Sequence, residues 1–205
     1  MSGDRSGAEG ALVAVPVTRE HAAALGALFE RCESACYCRY WHFAGDKNAW
    51  LERCALAPGK NREELTAALE HANAGDDLLG VVALTPGGDV AGWMKLSAAQ
   101  AVPKLYDQRL YRGLSCFSGE RAGVLVVGCF LIDEPWRRQG VARRLLGAGI
   151  DAARRRGARA LEAFPRRSSP LRPDEQWTGP LQVFESAGFA VVHDFGPYPV
   201  LRLTL

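Results

Sequence analysis

Apolar and polar positions along the chain switch between two periods. Strand-like runs fall at residues 11–17, 77–84, 90–97, 124–132, 159–165, 189–194 and 200–205. Helical spacing fills residues 21–32, 48–56, 61–74, a stretch ending at Gly157, and 179–187. Thr18 is placed to cap the first helix. Asn61 is placed to cap the third, with Glu64 at the capping-box position and Leu65 and Leu69 facing inward. Pro86-Gly87-Gly88-Asp89 reads as a hairpin turn between two strands. Gly92 in the second of these strands would let a neighbouring backbone approach. Residues 102–114 read as a short helix or ordered loop, and 166–177, rich in Pro, Ser and Arg, as a loop or lid.

The run VLVVGCFLI at 124–132 is β-branched and apolar throughout, as expected of a strand buried on both faces. A bend, Asp133-Glu134-Pro135-Trp136, leads into RRQGVA and a helix with the stripe Ala142, Leu146, Ile150 and Ala153. The first N–H groups of that helix lack intrahelical partners and sit at the positive end of its dipole, which suits an anion. Gly140 and Ala142 leave room for close approach. The nucleotide P-loop is excluded by the missing GKS/GKT ending, and the dinucleotide fingerprint by the missing GxGxxG. The competing reading is an ordinary βα turn with solvated arginines. The strand before and the helix after favour a phosphate cradle.

The 205 residues, 48% hydrophobic, allow one full core. Residues 1–10 are expected to be loose and 11–205 to form a single domain. With 25 basic and 23 acidic residues the net charge is +2, which gives no mandate for nucleic acid. No run of about eighteen apolar residues offers a membrane span. The polar start MSGDRSGAEG lacks an apolar signal segment, so a cytoplasmic location is expected. Of six cysteines, Cys32, Cys36, Cys38 and Cys54 lie in or beside the aromatic stretch 32–50, which also holds His42. Zinc ligation and a redox pair are two readings, but Cys-x-Cys spacing with no second paired half disfavours a metal. The preferred reading is an aromatic pocket wall with reduced cysteines packed as small apolar groups.

The pattern R-x-x-G-x-A after a strand resembles motif A of the GNAT acetyltransferase superfamily. The ending helix–AGF–strand around residues 184–189 resembles it too, and the resemblance spans most of 11–205. More narrowly, CYCRYW, Asn61-Arg62, Gly92-Trp93, Cys129-Phe130 and Glu162-Ala163-Phe164-Pro165 resemble a bacterial subgroup of that superfamily. The resemblance implies an α/β fold with a mixed, mostly antiparallel central sheet of about six or seven strands. Helices would flank both faces, and a splayed parallel pair would lie in the middle. It implies acetyl-CoA as co-substrate. The pyrophosphate would sit on Arg137, Arg138, Gln139, Gly140, Val141, Ala142 and Arg143, and the pantetheine arm along Leu131 and Ile132. An N–H near residues 129–131, freed by the splay, would polarise the thioester carbonyl. Homodimers are common in that superfamily.

The acceptor, expected to be a small-molecule amine walled by Tyr40, Trp41, Trp93 and Trp177, must lose a proton before it attacks. Glu162, on the strand beside the central one, is the first candidate base. The alternative is a surface or ion-paired strand carboxylate, and the residues alone leave the two even. Where the resemblance implies a tyrosine acid for the leaving thiolate, the chain has Phe184, so Tyr198, His193 or water serves, or the thiolate leaves unassisted. Cys129 is read as a buried thiol in preference to a covalent nucleophile. Three functions compete: a small-molecule N-acetyltransferase, an acyl-CoA-binding module without turnover, and a protein-modifying acetyltransferase.

Overall fold

The computed structural model describes residues 12–72, 78–167 and 176–205. The expectation for residues 1–10 and most of the loop 166–177 fall outside them. Strands β1 (Val13–Pro16), β2 (Gly80–Leu84), β3 (Val90–Ala98), β4 (Val124–Ile132), β5 (Ala160–Ala163), β6 (Ala190–His193) and β7 (Val200–Thr204) form one seven-stranded sheet. Its order is β1-β2-β3-β4-β5-β7-β6, and only the β4–β5 pair is parallel. This is the mixed sheet with a central parallel pair that the resemblance implied.

Helices cover both faces. Helix α1 (Ala22–Arg31) and helix α3 (Pro58–His71) pack Leu25, Leu28, Phe29, Leu65 and Leu69 against Val82 and Trp93. Helix α2 (Lys47–Leu56) precedes α3, and a single turn, α4 (Pro103–Tyr106), lies between β3 and β4. On the opposite face α5 (Val141–Arg155) buries Val141, Leu145, Leu146 and Ile150 against Val81, Met94 and Leu96. Helix α6 (Leu181–Ser186) adds Phe184 to the same cluster. Its phenyl ring meets Phe130 and Phe189 edge-on.

Two local expectations are corrected. Helix α3 begins at Pro58, a residue suited to the first helical turn, so Asn61 is not its cap. Asn61 is fully buried inside the helix and donates from Nδ2 to the Ala35 carbonyl at 2.9 Å. Glu64 is therefore not a capping residue either; it pairs with Arg39 at 3.2 Å and with Arg53. At Gly92 the close neighbour is a helix side chain, not a backbone. A Cβ there would stand 2.9 Å from Val141 Cγ1, so Gly92 lets the first turn of α5 settle on β3.

The sheet parts at one place. Parallel pairing of β4 with β5 runs from Val124↔Ala160 to Val127↔Ala163 and stops. Against β3, Lys95 pairs with Cys129 and Leu96 with Val127, so Gly128 is an extra residue, a β-bulge. A bulge bends its strand, and Pro165, just past β5, has no N–H with which to continue a ladder. Residues 128–132 of β4 therefore continue without β5.

Candidate functional site

The turn from β4 into α5 is held by its own groups. The Asp133 N–H donates to Ala91 O at 3.0 Å, and Asp133 Oδ2 pairs with Arg31 at 2.8 Å. Gln139 Nε2 donates to Pro135 O at 2.6 Å. Gly140 caps α5 with φ 77°, a left-handed conformation that glycine adopts without strain, and Arg138 also has positive φ, 60°. Nothing lies within 4 Å of where a Gly140 Cβ would stand. The first intrahelical bond is Arg144 N–H to Gly140 O at 3.1 Å, so the N–H groups of Val141, Ala142 and Arg143 have no partner within the helix. Arg138 and Arg143 are exposed beside them. This is a fifteen-residue helix whose open positive end meets solvent at a glycine.

The free stretch of β4 lies next to it. The Phe130 N–H points away from β3 and donates to the Trp177 carbonyl at 2.6 Å. By alternation Ile132 faces the same way, and its carbonyl accepts from Arg137 Nε at 3.0 Å. Leu131, paired with Trp93, turns its backbone to β3. Thus the Phe130 N–H and the Ile132 carbonyl are each met by the protein itself. Arg137 is engaged here, unlike Arg138 and Arg143, which stand in solvent.

The aromatic residues divide. Trp41 and Trp177 approach each other, ring centroids 6.4 Å apart, over the end of the gap. Tyr40 turns toward an open groove of ≈ 590 Å³ lined also by Phe43, Lys104 and Asp107, and the Lys104 ammonium sits 4.4 Å from its ring. Trp93 joins neither. It is fully buried among Leu25, Leu28 and Phe29, and so forms core rather than pocket wall.

Glu162 is fully buried between three donors. Tyr106 Oη donates at 2.7 Å, Arg121 contributes bonds of 2.9 and 2.6 Å, and Arg202 contributes bonds of 3.1 and 2.5 Å. Burial alone would raise its pKa; the bonds from Arg121, Tyr106 and Arg202 outweigh it and hold the carboxyl below its usual range. These contacts are those of the ion-paired alternative. A carboxylate so held is a weak proton acceptor. Tyr198 lies in the β6–β7 turn close to Tyr111, whose pKa burial pushes up to about 12.

A second polar group lies on the α1/α3 face of the sheet. Lys95 on β3 is 3% exposed, and its Nζ has no hydrogen-bond partner among the described residues. His42 Nε2 stands 3.5 Å from Ser97 Oγ. Burial first, then Lys95 and Arg39, lowers the His42 pKa to about 4. All six cysteines are free. Cys36, Cys38 and Cys129 form a chain of thiols, with Cys38 pushed well up first by its bond with Cys129. Among the described residues no group of three or more His, Cys, Asp or Glu is placed to hold a metal. The partners of Glu162 escaped sequence reasoning because Tyr106, Arg121 and Arg202 come from three distant segments. Lys95 had a visible signal: a single charge inside the otherwise apolar strand VAGWMKLSA.

The sequence model of the acetyltransferase (GNAT) family matches residues 28–169. No curated protein matches the chain. Among solved structures, the fold is similar to the PaiA N-acetyltransferase of Thermoplasma acidophilum in complex with coenzyme A. That likeness has a TM-score of 0.57 at 11% identity and covers 96% of this chain and 100% of that one. The GNAT domain of S. lividans PAT gives a TM-score of 0.57 at 21% identity, over 96% of this chain and 92% of that one. The yncA protein of Salmonella typhimurium, solved with its cofactor acetyl-CoA, gives 0.52 at 15% identity, over 96% and 95%. No described helix is long and apolar enough to cross a membrane.

Proposed function

The chain belongs to the GNAT family of acetyltransferases, and we propose that it moves the acetyl group of acetyl-CoA to the amine of a small molecule by direct attack in a ternary complex. The observation that carries this reading is the open start of α5 at Gly140, adjoining a stretch of β4 that has left its neighbour. The N–H groups of Val141, Ala142 and Arg143 would hold the pyrophosphate, with Arg138 and Arg143 alongside. Ile132 would pair with the pantetheine arm, and the Phe130 N–H would bind the thioester oxygen as negative charge grows on it. Trp41 and Trp177, in contact with ring centroids 6.4 Å apart, give one aromatic patch, which suits a small acceptor better than an extended peptide.

Glu162 is assigned to architecture in this proposal, since three donors already hold its carboxylate. One observation favours the alternative of binding without turnover: Phe184 is fully buried and carries no hydroxyl to protonate a departing thiolate. The deciding experiment is calorimetric titration with acetyl-CoA, followed by a thiol-release assay over a panel of small primary amines. Binding with thiol release supports the transferase; binding without release for any amine supports the module; no binding overturns both.

A further inference from the structure

Amine acetylation needs a group that takes a proton from an ammonium, and Glu162 is spent on ion pairs. Lys95, buried on the strand that pairs with β4 at Cys129, has an Nζ without a hydrogen-bond partner among the described residues. It projects from β3 on the same face as Trp93, Cys129 and Leu131. Its stem lies against β4 at the bulge: a Cβ on Gly128 would be in van der Waals contact, 3.5 Å from Lys95 Cγ. Cys129, which the ammonium reaches electrostatically, immediately precedes the Phe130 N–H at the open edge.

We propose that Lys95 is the proton-transfer residue of the acetyl transfer, its neutral amine accepting the proton of the acceptor ammonium at the open edge of β4. This rests on the reading of the chain as an acetyltransferase. Lys95 Nζ takes one proton, and the freed amine lone pair forms the C–N bond to the thioester carbon. The C–S bond then breaks with its electrons on sulfur. Lys95 returns its proton to that sulfur, and the surplus proton on the new amide nitrogen leaves to water.

The surroundings suit the task. Burial, then Arg39, lowers the Lys95 pKa to about 8, while Cys38 and Cys129 act weakly the other way. His42, from the segment covering Lys95, stays neutral, and the carboxylate of Glu64 is held by Arg39 and Arg53. A lysine so placed exchanges its proton within the working range of an enzyme, which an exposed lysine does not.

The test compares wild type, Lys95→Met and Lys95→Arg. Each is titrated calorimetrically with acetyl-CoA, then assayed for thiol release with small primary amines from about pH 6 to about pH 10. All three are expected to bind acetyl-CoA alike. Wild-type kcat should rise through a limb near pH 8, and both variants should fall at least about 100-fold and lose that limb. Met preserves the bulk, and Arg preserves the charge but cannot give up its proton. A Lys95→Arg enzyme with near wild-type turnover overturns the proposal, as does a Lys95→Met enzyme that keeps the limb. If wild type binds acetyl-CoA but acetylates nothing, the role of Lys95 falls while acyl-CoA binding stands; if wild type binds none, the functional reading itself fails.

Discussion

The Trp177 carbonyl accepts the Phe130 N–H at 2.6 Å, across the gap where β4 has left β5. A strand that loses its neighbour inside a protein leaves backbone groups that must find partners elsewhere. Here Trp177 occupies the one donor that the proposed chemistry assigns to the thioester oxygen. Co-substrate and Trp177 then compete for the same N–H. Binding of acetyl-CoA should move the Trp177 segment and part its ring from Trp41. The expected result is a change in tryptophan fluorescence on titration that Trp177→Phe abolishes. An equal change in wild type and variant would mean the segment stays in place.

Gly140 tests the cradle. Its site has space for a side chain but not the backbone freedom, because φ is 77°. Gly140→Val should therefore cost stability of about 1–2 kcal/mol by conformational strain and weaken acetyl-CoA binding at least about ten-fold. Gly140→Asn, which tolerates the left-handed region, should lose less of both. Calorimetry with a melting curve for each protein checks the order.

Glu162→Gln removes the anion from a buried cluster with Arg121 and Arg202. Leaving those cations uncompensated should destabilise the fold by about 3–5 kcal/mol, measured by urea unfolding. Because the folded pKa of Glu162 lies below its unfolded value, its stabilisation is present above the unfolded pKa and lost as pH falls through the folded one. Any folded Glu162→Gln protein should keep the wild-type pH profile of turnover. A lost limb would return Glu162 to the chemistry.

Lys95 should make stability depend on pH in the alkaline range. Its folded pKa, about 8, lies below the usual value of 10.5, so the unfolded chain binds more protons between the two. Stability should rise with pH through that window and be lowest below it. Lys95→Met should remove the slope and melt no lower than wild type near neutrality, since it deletes a buried charge with no partner. A wild-type curve flat across the window contradicts the buried, unpaired lysine.

Much of this arrangement was legible in the residues. Seven strand-like runs became seven strands, because burial on one or both faces imprints itself on local pattern. The βα turn was legible for the same reason: glycine, arginines and helix start are neighbours in sequence. Asn61 shows where local rules fail. Pro58 starts the helix earlier, and the asparagine serves Ala35, a partner 26 residues away. Glu162 and Trp93 fail alike, since their roles are set by Arg121, Arg202 and α1, which no short window contains. Lys95 was visible as an anomaly, but the groups around it, Cys38, His42 and Cys129, come from other segments.

Gly128 has a consequence of a different kind. Before it, Val124 and Val126 look one way and Leu125 and Val127 the other; after it, Cys129 and Leu131 take the first side and Phe130 and Ile132 the second. Two residues opposite one exchange odd for even, so a chain shortened by that single glycine would keep every later side chain on its present side and straighten the strand. The cleft is thus counted into the chain and not spelled in it. Substitution along this strand can retune what enters, whereas losing one unit of length would unbend the strand without turning over a single residue.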